Sequence, residues 1–443
     1  MTGSFWFTWW FVLAGFVGAI WVVRVVNMRR ILRRREVLGS FSPDSLPEAA
    51  PKVSVVVAAK DEEADIEACV TSLLDQDYPE FEVIVVDDRS TDRTPAILAG
   101  LRASHGDRLR VIEVDRVREG WCGKNNAMRE GVSVSSGDWL LFTDADCRQT
   151  SRRAIRVAMC EALRREADFL SITPVLETHA SWERMIQPVC TLVLMTWFLP
   201  HHVNKPHRKT AYANGAFMLM RRTCYDAIGG HERVRTEVNE DIQMARIAKR
   251  AGLRLRVVEN DDLYRTRMYD SLGAGWRGWS RIYYGSFASL GSLILAATVL
   301  TVASLVPWVC LMVSIIAVAG SEGTGEPLAW TAAGVWFVLV TMEQIVAWRL
   351  YAVLRVPRVW SLGYPIGVVF TLGMFGNAMF KKLGVTSTTW RGTRYRGGLP
   401  VRRTQSAVPQ AGTETDHGTG GGERPAYGAR SADGSATYPG APG

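Results

Sequence analysis

Long uncharged segments constrain the fold of this chain more than any other feature of its sequence. Residues 282–321 run for forty residues without a charge, and residues 5–23 also contain none. Because a helix rises about 1.5 Å per residue, roughly 20 apolar residues cross a hydrocarbon core of about 30 Å. Residues 5–23 are therefore predicted to span a membrane. Residues 282–321 are long enough for one interfacial helix and one span.

Two further apolar segments follow, and they leave the number of spans open. Residues 328–348 are predicted to return across the membrane after a short outside loop at 322–326. Residues 360–380 are interrupted by several glycines and Pro365, so they either cross or re-enter. Crossing would place the basic residues that follow outside, against the positive-inside rule. Glu343 is either a candidate acceptor-site residue or a carboxylate near the membrane interface.

Basic residues set the expected orientation and partners. The first apolar segment is followed directly by Arg29, Arg30, Arg33, Arg34 and Arg35, which predicts that the downstream side is cytoplasmic. The formal net charge is +8, but the basic residues cluster beside apolar segments. This pattern favours membrane headgroups and argues against nucleic acid.

The sequence divides into four regions. We expect a transmembrane helix, basic stretch and linker in residues 1–50, a cytosolic catalytic domain in 51–281 and a membrane region in 282–400. The membrane region would hold the interfacial helix and two or three spans. Residues 401–443 are rich in Gly, Ser, Thr, Pro and Ala, which predicts a disordered tail without chemistry.

The catalytic region alternates strands and helices. Short apolar runs predict four buried strands, and apolar residues at helical spacing follow the first of them at residues 66–74. These predicted strands are 53–59, 81–86, 109–114 and 139–142. A further inner strand that lines the acceptor side is predicted within residues 214–222. Strand, helix and strand joined by short links predict an α/β fold with a mostly parallel, Rossmann-like sheet and right-handed crossovers.

Acidic residues follow two of these strands. Asp144 and Asp146 come directly after the fourth strand, and Asp87 and Asp88 end the second. The carboxyl ends of parallel strands open onto one crevice, so these side chains are expected on the same side of the sheet. Carboxylate pairs suit Mg²⁺ or Mn²⁺ shared with phosphates. The alternative for Asp144 and Asp146 is a solvated turn or helix cap.

Three other positions carry candidate chemistry. Gly123 and Lys124 at a predicted helix start suit a phosphate group, although a solvated lysine is the alternative. Glu240 and Asp241 precede another helix, where Asp241 is either a capping carboxylate or a general base. His231 is equally compatible with a structural and a functional role.

The ordered set of motifs resembles glycosyltransferase family 2, with its GT-A nucleotide-diphospho-sugar transferase fold. The resemblance covers residues 51–281 and rests on five motifs. They are Val53-Ser-Val-Val-Val-Ala-Ala-Lys-Asp-Glu-Glu, Val86-Asp-Asp-Arg-Ser-Thr-Asp, Gly123-Lys124, Asp144-Ala-Asp146 and Glu240-Asp241. Residues 120–127, the Arg267-Met268-Tyr269 segment and the membrane-flanked layout look most like the carotenoid and hopanoid-associated branch of that family.

The resemblance implies a role for each matching residue. Loop 58–62 and Asp88 would hold the nucleotide base and ribose, and Lys124 would lie near the diphosphate. Asp144 would contact the donor and the metal, Asp146 would bind the metal, and Asp241 beside Glu240 would take the proton from the acceptor. The implied donor-binding residues are thus Ala58, Lys60, Glu62, Asp87, Asp88, Lys124 and Asp144.

The implied reaction is inverting and dependent on Mg²⁺ or Mn²⁺. It would move one sugar from a nucleotide-sugar, in particular a UDP-sugar, to a membrane lipid such as a carotenoid, hopanoid or polyprenyl lipid. The resemblance also implies a multi-pass protein of the cell (inner) membrane with a cytoplasmic catalytic domain.

The sequence departs from the family pattern in places. Ala58 replaces the usual proline and Asp61 the usual asparagine, which affects the expected base pocket. The Gln-x-x-Arg-Trp motif of processive synthases is absent, and residues 276–281 occupy its region, which favours a single transfer. The alternatives are a processive polysaccharide synthase and a non-catalytic membrane scaffold with a vestigial fold. Segment 390–395 resembles a tail motif of these enzymes that favours an inside C-terminal end.

Overall fold

The computed structural model describes residues 2–43, 45–320, 327–386, 388–390, 393–396 and 399–400. The predictions for the outside loop at 322–326 and for the tail at 401–443 lie outside the described residues.

The described strands form a large sheet, a small sheet and a terminal hairpin with one added strand. In chain order they are β1 (Val37–Leu38), β2 (Val53–Ala59), β3 (Phe81–Asp87), β4 (Leu109–Glu113), β5 (Trp139–Asp144), β6 (Cys147–Gln149), β7 (Phe169–Thr173), β8 (Val175–Leu176), β9 (Met218–Arg221), β10 (Leu255–Asn260), β11 (Tyr264–Thr266), β12 (Thr388–Trp390), β13 (Thr393–Arg396) and β14 (Leu399–Pro400).

The α-helices lie between and after these strands. They are α1 (Thr2–Arg33), α2 (Ile66–Leu74), α3 (Thr94–His105), α4 (Gly123–Ser133), α5 (Ala154–Arg164), α6 (Ser181–Trp197), α7 (Pro200–Val203), α8 (Arg222–Ala227), α9 (Gly230–Arg233), α10 (Glu240–Arg250), α11 (Leu272–Ser286), α12 (Leu290–Ser304), α13 (Val306–Ala319), α14 (Pro327–Val353) and α15 (Tyr364–Lys382).

The large sheet has eight strands in the order β1-β10-β7-β9-β5-β2-β3-β4. Only β9 runs antiparallel to its neighbours, β5 and β7, and every other pairing in this sheet is parallel. The four strands predicted from apolar runs are all present, and β2 and β5 lie side by side at the centre. The predicted α/β fold with a mostly parallel sheet is confirmed.

Two segments differ from the sequence prediction. β1 lies in the stretch predicted as basic region and linker, because it pairs with β10 while Arg35 forms an ion pair of 2.6 Å with Glu259 of that strand. The strand predicted within residues 214–222 is shorter. Asn214 turns the chain there, since its side-chain oxygen accepts the Ala216 amide at 3.0 Å.

Four helical segments are long and apolar enough to cross a membrane by length and composition. They are Thr8–Arg33, Leu290–Ala319, Pro327–Val353 and Arg358–Lys382. The first, second and third contain the predicted segments 5–23, 282–321 and 328–348 in whole or large part. The glycine-rich fourth segment begins with a short 3-10 helix, Arg358–Gly363, and continues as α15, whose Gly367 lies against α6 and whose Gly373 lies against Trp276 of α11.

Helix α6 was not predicted, and it connects the catalytic domain with the apolar helices. It packs with α11, α12 and α15 in one buried cluster that includes Val189, Tyr283 and Phe375. A second cluster joins α1, α13 and α14 around Trp21 and Trp336.

The C-terminal part of α14 also joins the first cluster through Ala347 and Tyr351, and the Tyr351 hydroxyl donates to the Met185 carbonyl of α6 at 3.1 Å. The apolar helices therefore form two packing groups that share α14, and the group that includes α6 is built on the catalytic domain.

Candidate active site

Strand register places the acidic residues at one edge of the sheet. Ala58 of β2 is paired with Asp144 of β5, and Ala59 is paired with Asp87 of β3. Asp88 and Asp146 follow one and two residues beyond these positions. The expectation that the acids after the second and fourth strands lie on the same side is confirmed, because parallel strands in register end together.

Lys124 joins the two halves of the site. Its ammonium lies 2.7 Å from Asp144 on one side and 2.7 Å from Glu240 on the other. Burial alone would lower the pKa of Lys124, but the two carboxylates raise it well above its usual value. Lys124 is therefore charged, and it fixes the distance between the carboxyl end of β5 and the first turn of α10.

Gly123 allows this lysine to sit so close to the strand ends. A Cβ at Gly123 would lie 2.5 Å from the carboxylate of Asp88, which is too close for any side chain. The backbone of α4 can thus begin directly against the end of β3. The Asp88 carboxylate also accepts two hydrogen bonds from Arg89, at 2.8 and 3.2 Å.

Asp241 lies in the first turn of α10, one position after its first residue, so it is not the N-cap residue. Asn239 occupies the N-cap of α10 without a side-chain capping bond. The Asp241 carboxylate accepts the Ile242 amide at 2.7 Å and reaches across to accept the Gly215 amide at 2.9 Å. Burial raises the pKa of Asp241 to about 7, with a further increase from the Glu240 carboxylate, while Lys124 and the amide bonds lower it.

The loops after β2 and β3 hold each other in place. Lys60 donates to the Arg89 carbonyl at 2.6 Å, and Asp61 accepts the Thr91 amide at 2.7 Å. The Glu62 amide donates to Thr94 at 2.8 Å. Asp87 accepts the Ser90 amide at 3.1 Å. Residues 60–62 and 87–94 thus form one ordered rim beside the end of β5.

Two cavities meet at the Lys124–Asp144 pair. The first, here called the polar cavity, has a volume of about 360 Å³ and is lined by Ala58, Asp146 and two arginines of α11, Arg277 and Arg281. The second, called the apolar cavity, has a volume of about 280 Å³ and is lined by Glu240, Asp241 and one face of α6. Lys124, Asp144 and Arg281 belong to both walls.

The predicted residues thus fall into three places. Ala58, Lys124, Asp144 and Asp146 line the polar cavity, and Glu240 and Asp241 line the apolar one. Lys60, Glu62, Asp87 and Asp88 form the rim and line neither of these two cavities.

Sequence reasoning missed the two arginines and the α6 face. Arg277 and Arg281 are four residues apart on α11, which places them on one side of that helix. Their spacing was the available signal. No motif marks α6, whose contribution to the site depends on tertiary packing.

His231 and Glu343 lie outside the two cavities. His231 is buried, its Nδ1 lies 3.0 Å from the Tyr225 hydroxyl and its ring meets Phe142 edge-on at 4.9 Å. Burial lowers the pKa of His231 to about 3, so it is a neutral core residue. Glu343 is buried in α14 and lines neither cavity.

The described residues contain no group of three or more His, Cys, Asp or Glu side chains arranged to hold a metal ion. Asp144 and Asp146 are the carboxylates that line the polar cavity. Two carboxylates with further ligands from phosphates and water are a usual arrangement for Mg²⁺. The donor set therefore fits a metal that binds together with a phosphorylated ligand.

Comparison with known proteins matches part of this domain to a known family. The sequence model of the family described as "Glycosyl transferase family 2" matches residues 54–229. A beta-monoglucosyldiacylglycerol synthase from Nostoc sp. is 38% identical over 109 residues, which is 24% of this chain and 23% of that protein. A 4,4'-diaponeurosporenoate glycosyltransferase from Staphylococcus haemolyticus is 24% identical over 57% of this chain and 66% of its own length.

The chain therefore spans about a quarter of the first relative and just under two thirds of the second. Among solved structures, the mannosyltransferase PcManGT from Pyrobaculum calidifontis in complex with GDP-Man and Mn²⁺ is 18% identical, with a TM-score of 0.49 over 82% of this chain and 96% of that chain.

Proposed function

Residues 54–229 are a glycosyl transferase family 2 domain, and from this premise we propose that the chain transfers one sugar from a nucleotide-sugar to a membrane lipid. A UDP-sugar is the proposed donor. The acceptor oxygen is a hydroxyl or carboxylate of a lipid, and the anomeric carbon is inverted.

The observation that carries this proposal is the meeting of two unlike cavities at one lysine. The polar cavity combines carboxylates with Arg277 and Arg281, which suits a diphosphate and its counter-charges. The apolar cavity combines Asp241 with the apolar face of α6, which suits a lipid that presents an oxygen to a base. A sugar held at the Lys124–Asp144 junction would contact both ligands.

Asp144 and Asp146 would hold the divalent metal, Mg²⁺ or Mn²⁺, together with the donor diphosphate. When bound, such a metal offsets the negative charge of the leaving diphosphate as a Lewis acid. Asp146 is the proposed principal ligand, and Asp144, which also pairs with Lys124, is the proposed second.

The remaining residues position the reactants and move the proton. Asp241 lies on the apolar side of the junction, where it would accept the proton of an acceptor hydroxyl as the oxygen attacks the anomeric carbon. Its carboxylate is oriented by the Gly215 and Ile242 amides, which leave it facing the apolar cavity. Lys124 holds Glu240 against Asp144 and keeps the base next to the donor side.

A lipid acceptor and a membrane location are supported by independent features. Apolar helices pack directly on the wall of the apolar cavity through α6. The names of the two relatives refer to a glycosylated diacylglycerol and to a diaponeurosporenoate. We place the protein in the cell membrane as a multi-pass chain, with its catalytic domain in the cytoplasm, where the basic stretch after α1 would also lie.

The test is to incubate membranes containing the full chain with labelled UDP-sugars and analyse the lipid extract. We expect one labelled glycolipid with a single sugar. Asp241→Asn should lower transfer by ~10²–10⁴, the usual contribution of a general base, without changing UDP affinity. The exposed Asp226→Asn makes the same substitution away from the site and should retain full transfer.

Two results would contradict the proposal. A ladder of soluble oligosaccharides in place of a single glycolipid would indicate a processive synthase. Full turnover in Asp241→Asn would remove Asp241 from the role of base.

A further inference from the structure

We infer that the apolar cavity recognises an acceptor lipid with a second oxygen near its reactive end, and that Gln187 and Trp279 bind this oxygen. The inference rests on the proposed function, because it concerns the acceptor side of the same site. It adds what the proposed function leaves open, namely the chemical class of the head group.

The cavity wall formed by α6 has a polar end and an apolar end. The α6 residues that line the cavity recur on one face, from Gln187 and Thr191 to Leu194 and Met195, and Phe198 lines it directly after the helix. Leu194, Met195 and Phe198 form a continuous apolar surface that suits a hydrocarbon chain. On the same face, the Thr191 hydroxyl lies about one turn and the Gln187 amide about two turns before the apolar part begins.

Gln187 is a buried amide without a partner. Its side chain is 2% exposed, yet neither its Nε2 nor its Oε1 atom has a hydrogen-bond partner among the described residues. Trp279, across the cavity on α11, is equally buried, and its indole Nε1 also has no partner in the described part of the chain. Leaving a buried polar group unpaired is energetically unfavourable, so such groups commonly meet a ligand or water.

These groups together specify the chemistry of what binds. Gln187 offers two N–H donors and one carbonyl acceptor, and Trp279 offers one N–H donor. A lipid with a single hydroxyl has only one oxygen, which must lie at Asp241 if it is to react. A second oxygen is needed to accept from Gln187 or Trp279. A carboxyl group and the terminal diol of a glyceryl ether both provide one.

The test is a comparison of ligands that share one alkyl chain and differ in the head. Dibrominated stearic acid, dibrominated stearyl glyceryl ether and dibrominated stearyl alcohol quench tryptophan fluorescence when they bind, so affinity is measured without turnover. In the full-length wild-type chain we expect the acid or the glyceryl ether to bind about tenfold more tightly than the alcohol, as one net hydrogen bond predicts. Tight binding of the ether identifies a diol head, and tight binding of the acid alone identifies a carboxyl head.

Two variants and a matched control assign the effect to the cavity. Gln187→Leu should bind the acid or the glyceryl ether about as tightly as the alcohol, so that the preference is lost. Trp279→Phe should also weaken this preference. Gln344→Leu is the control, because Gln344 of α14 also has both amide atoms buried and unpartnered among the described residues but lines neither cavity. It should retain the wild-type preference. UDP titration verifies that each variant is folded.

The affinity of the acid also includes attraction of its negative charge to Arg281 and Arg355, which line this cavity. The glyceryl ether is neutral, so its affinity reports recognition of two oxygens without that attraction. Equal affinity of the wild type for all three ligands, or an unchanged preference in Gln187→Leu with normal UDP binding, would overturn the inference. Neither result bears on whether a sugar is transferred. Conversely, a chain that shows the ligand preference but labels no lipid would contradict the proposed function and leave this inference standing.

Discussion

At the scale of single residues, the site depends on one lysine shared by three carboxylates. Lys124 contacts Asp144 and Glu240 directly, and its charge lowers the pKa of Asp241, which burial and Glu240 raise to about 7. As the proposed base, a carboxylate with this raised pKa would titrate near neutral pH, close to the value at which proton transfer is most efficient. The pH profile of the proposed reaction should therefore report on Asp241.

We predict that kcat/KM for transfer rises with pH through an acid limb near pH 7. The sign follows from the role of Asp241, which accepts a proton only in its ionised form and is protonated below its pKa. Lys124→Met removes the cation that favours the ionised form, so the pKa of Asp241 rises and the limb moves to higher pH by about one unit or more. The residual rate of this variant is measured from pH 5.5 to about 9, a range chosen to include the ordinary histidine and cysteine pKa values.

The exposed Lys209→Met removes the same formal charge outside the two cavities, and its limb should stay at the wild-type position. A limb that stays in place in Lys124→Met as well would mean that Asp241 is not the group that titrates.

The residues that were predictable from the sequence lie at the ends of strands or the start of a helix, whereas the roles of the others depend on tertiary packing. Asp144, Asp146 and Asp87 follow apolar strands, and strand ends in a parallel sheet converge, so their proximity was predictable. Lys124 was predictable as a residue of the site but not as the bridge to Glu240, because that contact depends on how α10 packs. Gln187 has no local signature. Its importance arises from being buried without a partner, which only the tertiary structure reveals.

At the scale of elements, α6 lines the apolar cavity and connects the catalytic domain with the apolar helices, and α15 packs against α6. The two helices approach closely at Gly367, where a Cβ would lie 2.8 Å from Val189 and even closer to the carbonyl oxygen of Met185. A glycine here allows the helix backbones to touch. The sequence could be read only as an interrupted apolar segment, because glycine indicates both a broken helix and a close helix contact.

We predict that Gly367→Ala lowers the melting temperature of the purified protein in detergent, since overpacking typically costs about 1–3 kcal/mol. The displaced α6 should also raise KM for the acceptor more than KM for the nucleotide-sugar. Gly376→Ala is the matched control on the same helix, because a Cβ there has nothing within 4 Å. It should be neutral or stabilising by up to about 1 kcal/mol, as expected for alanine in a helix.

Equal melting temperatures for Gly367→Ala and Gly376→Ala would show that the contact with Met185 and Val189 does not limit the packing of α6. A lower melting temperature with unchanged acceptor KM would separate the stability of the helix pair from its effect on the cavity.

At the scale of the whole molecule, the sequence predicted the fold of the catalytic domain but not the division of the apolar helices. Strand periodicity and motif order were sufficient for β2, β3, β4 and β5. Composition identified apolar segments of spanning length but could not separate α12 from α13, which form one uncharged run. The structure separates them by their partners, because α12 packs with α11 and α15 while α13 packs with α1 and α14.

Polar contacts connect the two helix groups near the end of α12. Trp21 of α1 donates to the Ala303 carbonyl at 2.9 Å, and the Ser304 hydroxyl lies 3.0 Å from that of Tyr364, the first residue of α15. From there α15 follows α12 back toward the catalytic domain, and its last residue, Lys382, lies over the Tyr284 ring at 4.9 Å. Arg355, after α14, forms an ion pair with Asp261 of the catalytic domain. Both ends of α15 are therefore close to residues that belong to or adjoin that domain.

We predict from this arrangement that α1, α13 and α14 span the membrane and that α12 and α15 lie along its cytoplasmic face. A cysteine introduced at the exposed Val359 or Val385 should then react with an impermeant maleimide only after the cells are permeabilised, as should Glu80→Cys in the catalytic domain. Leu328→Cys, at the start of α14, should react in intact cells. The seven native cysteines are buried free thiols, so the wild-type chain is a suitable unlabelled background. Labelling of Val385→Cys in intact cells would instead require α15 to cross the membrane, and the basic residues Lys381 and Lys382 would then lie outside, against the positive-inside rule.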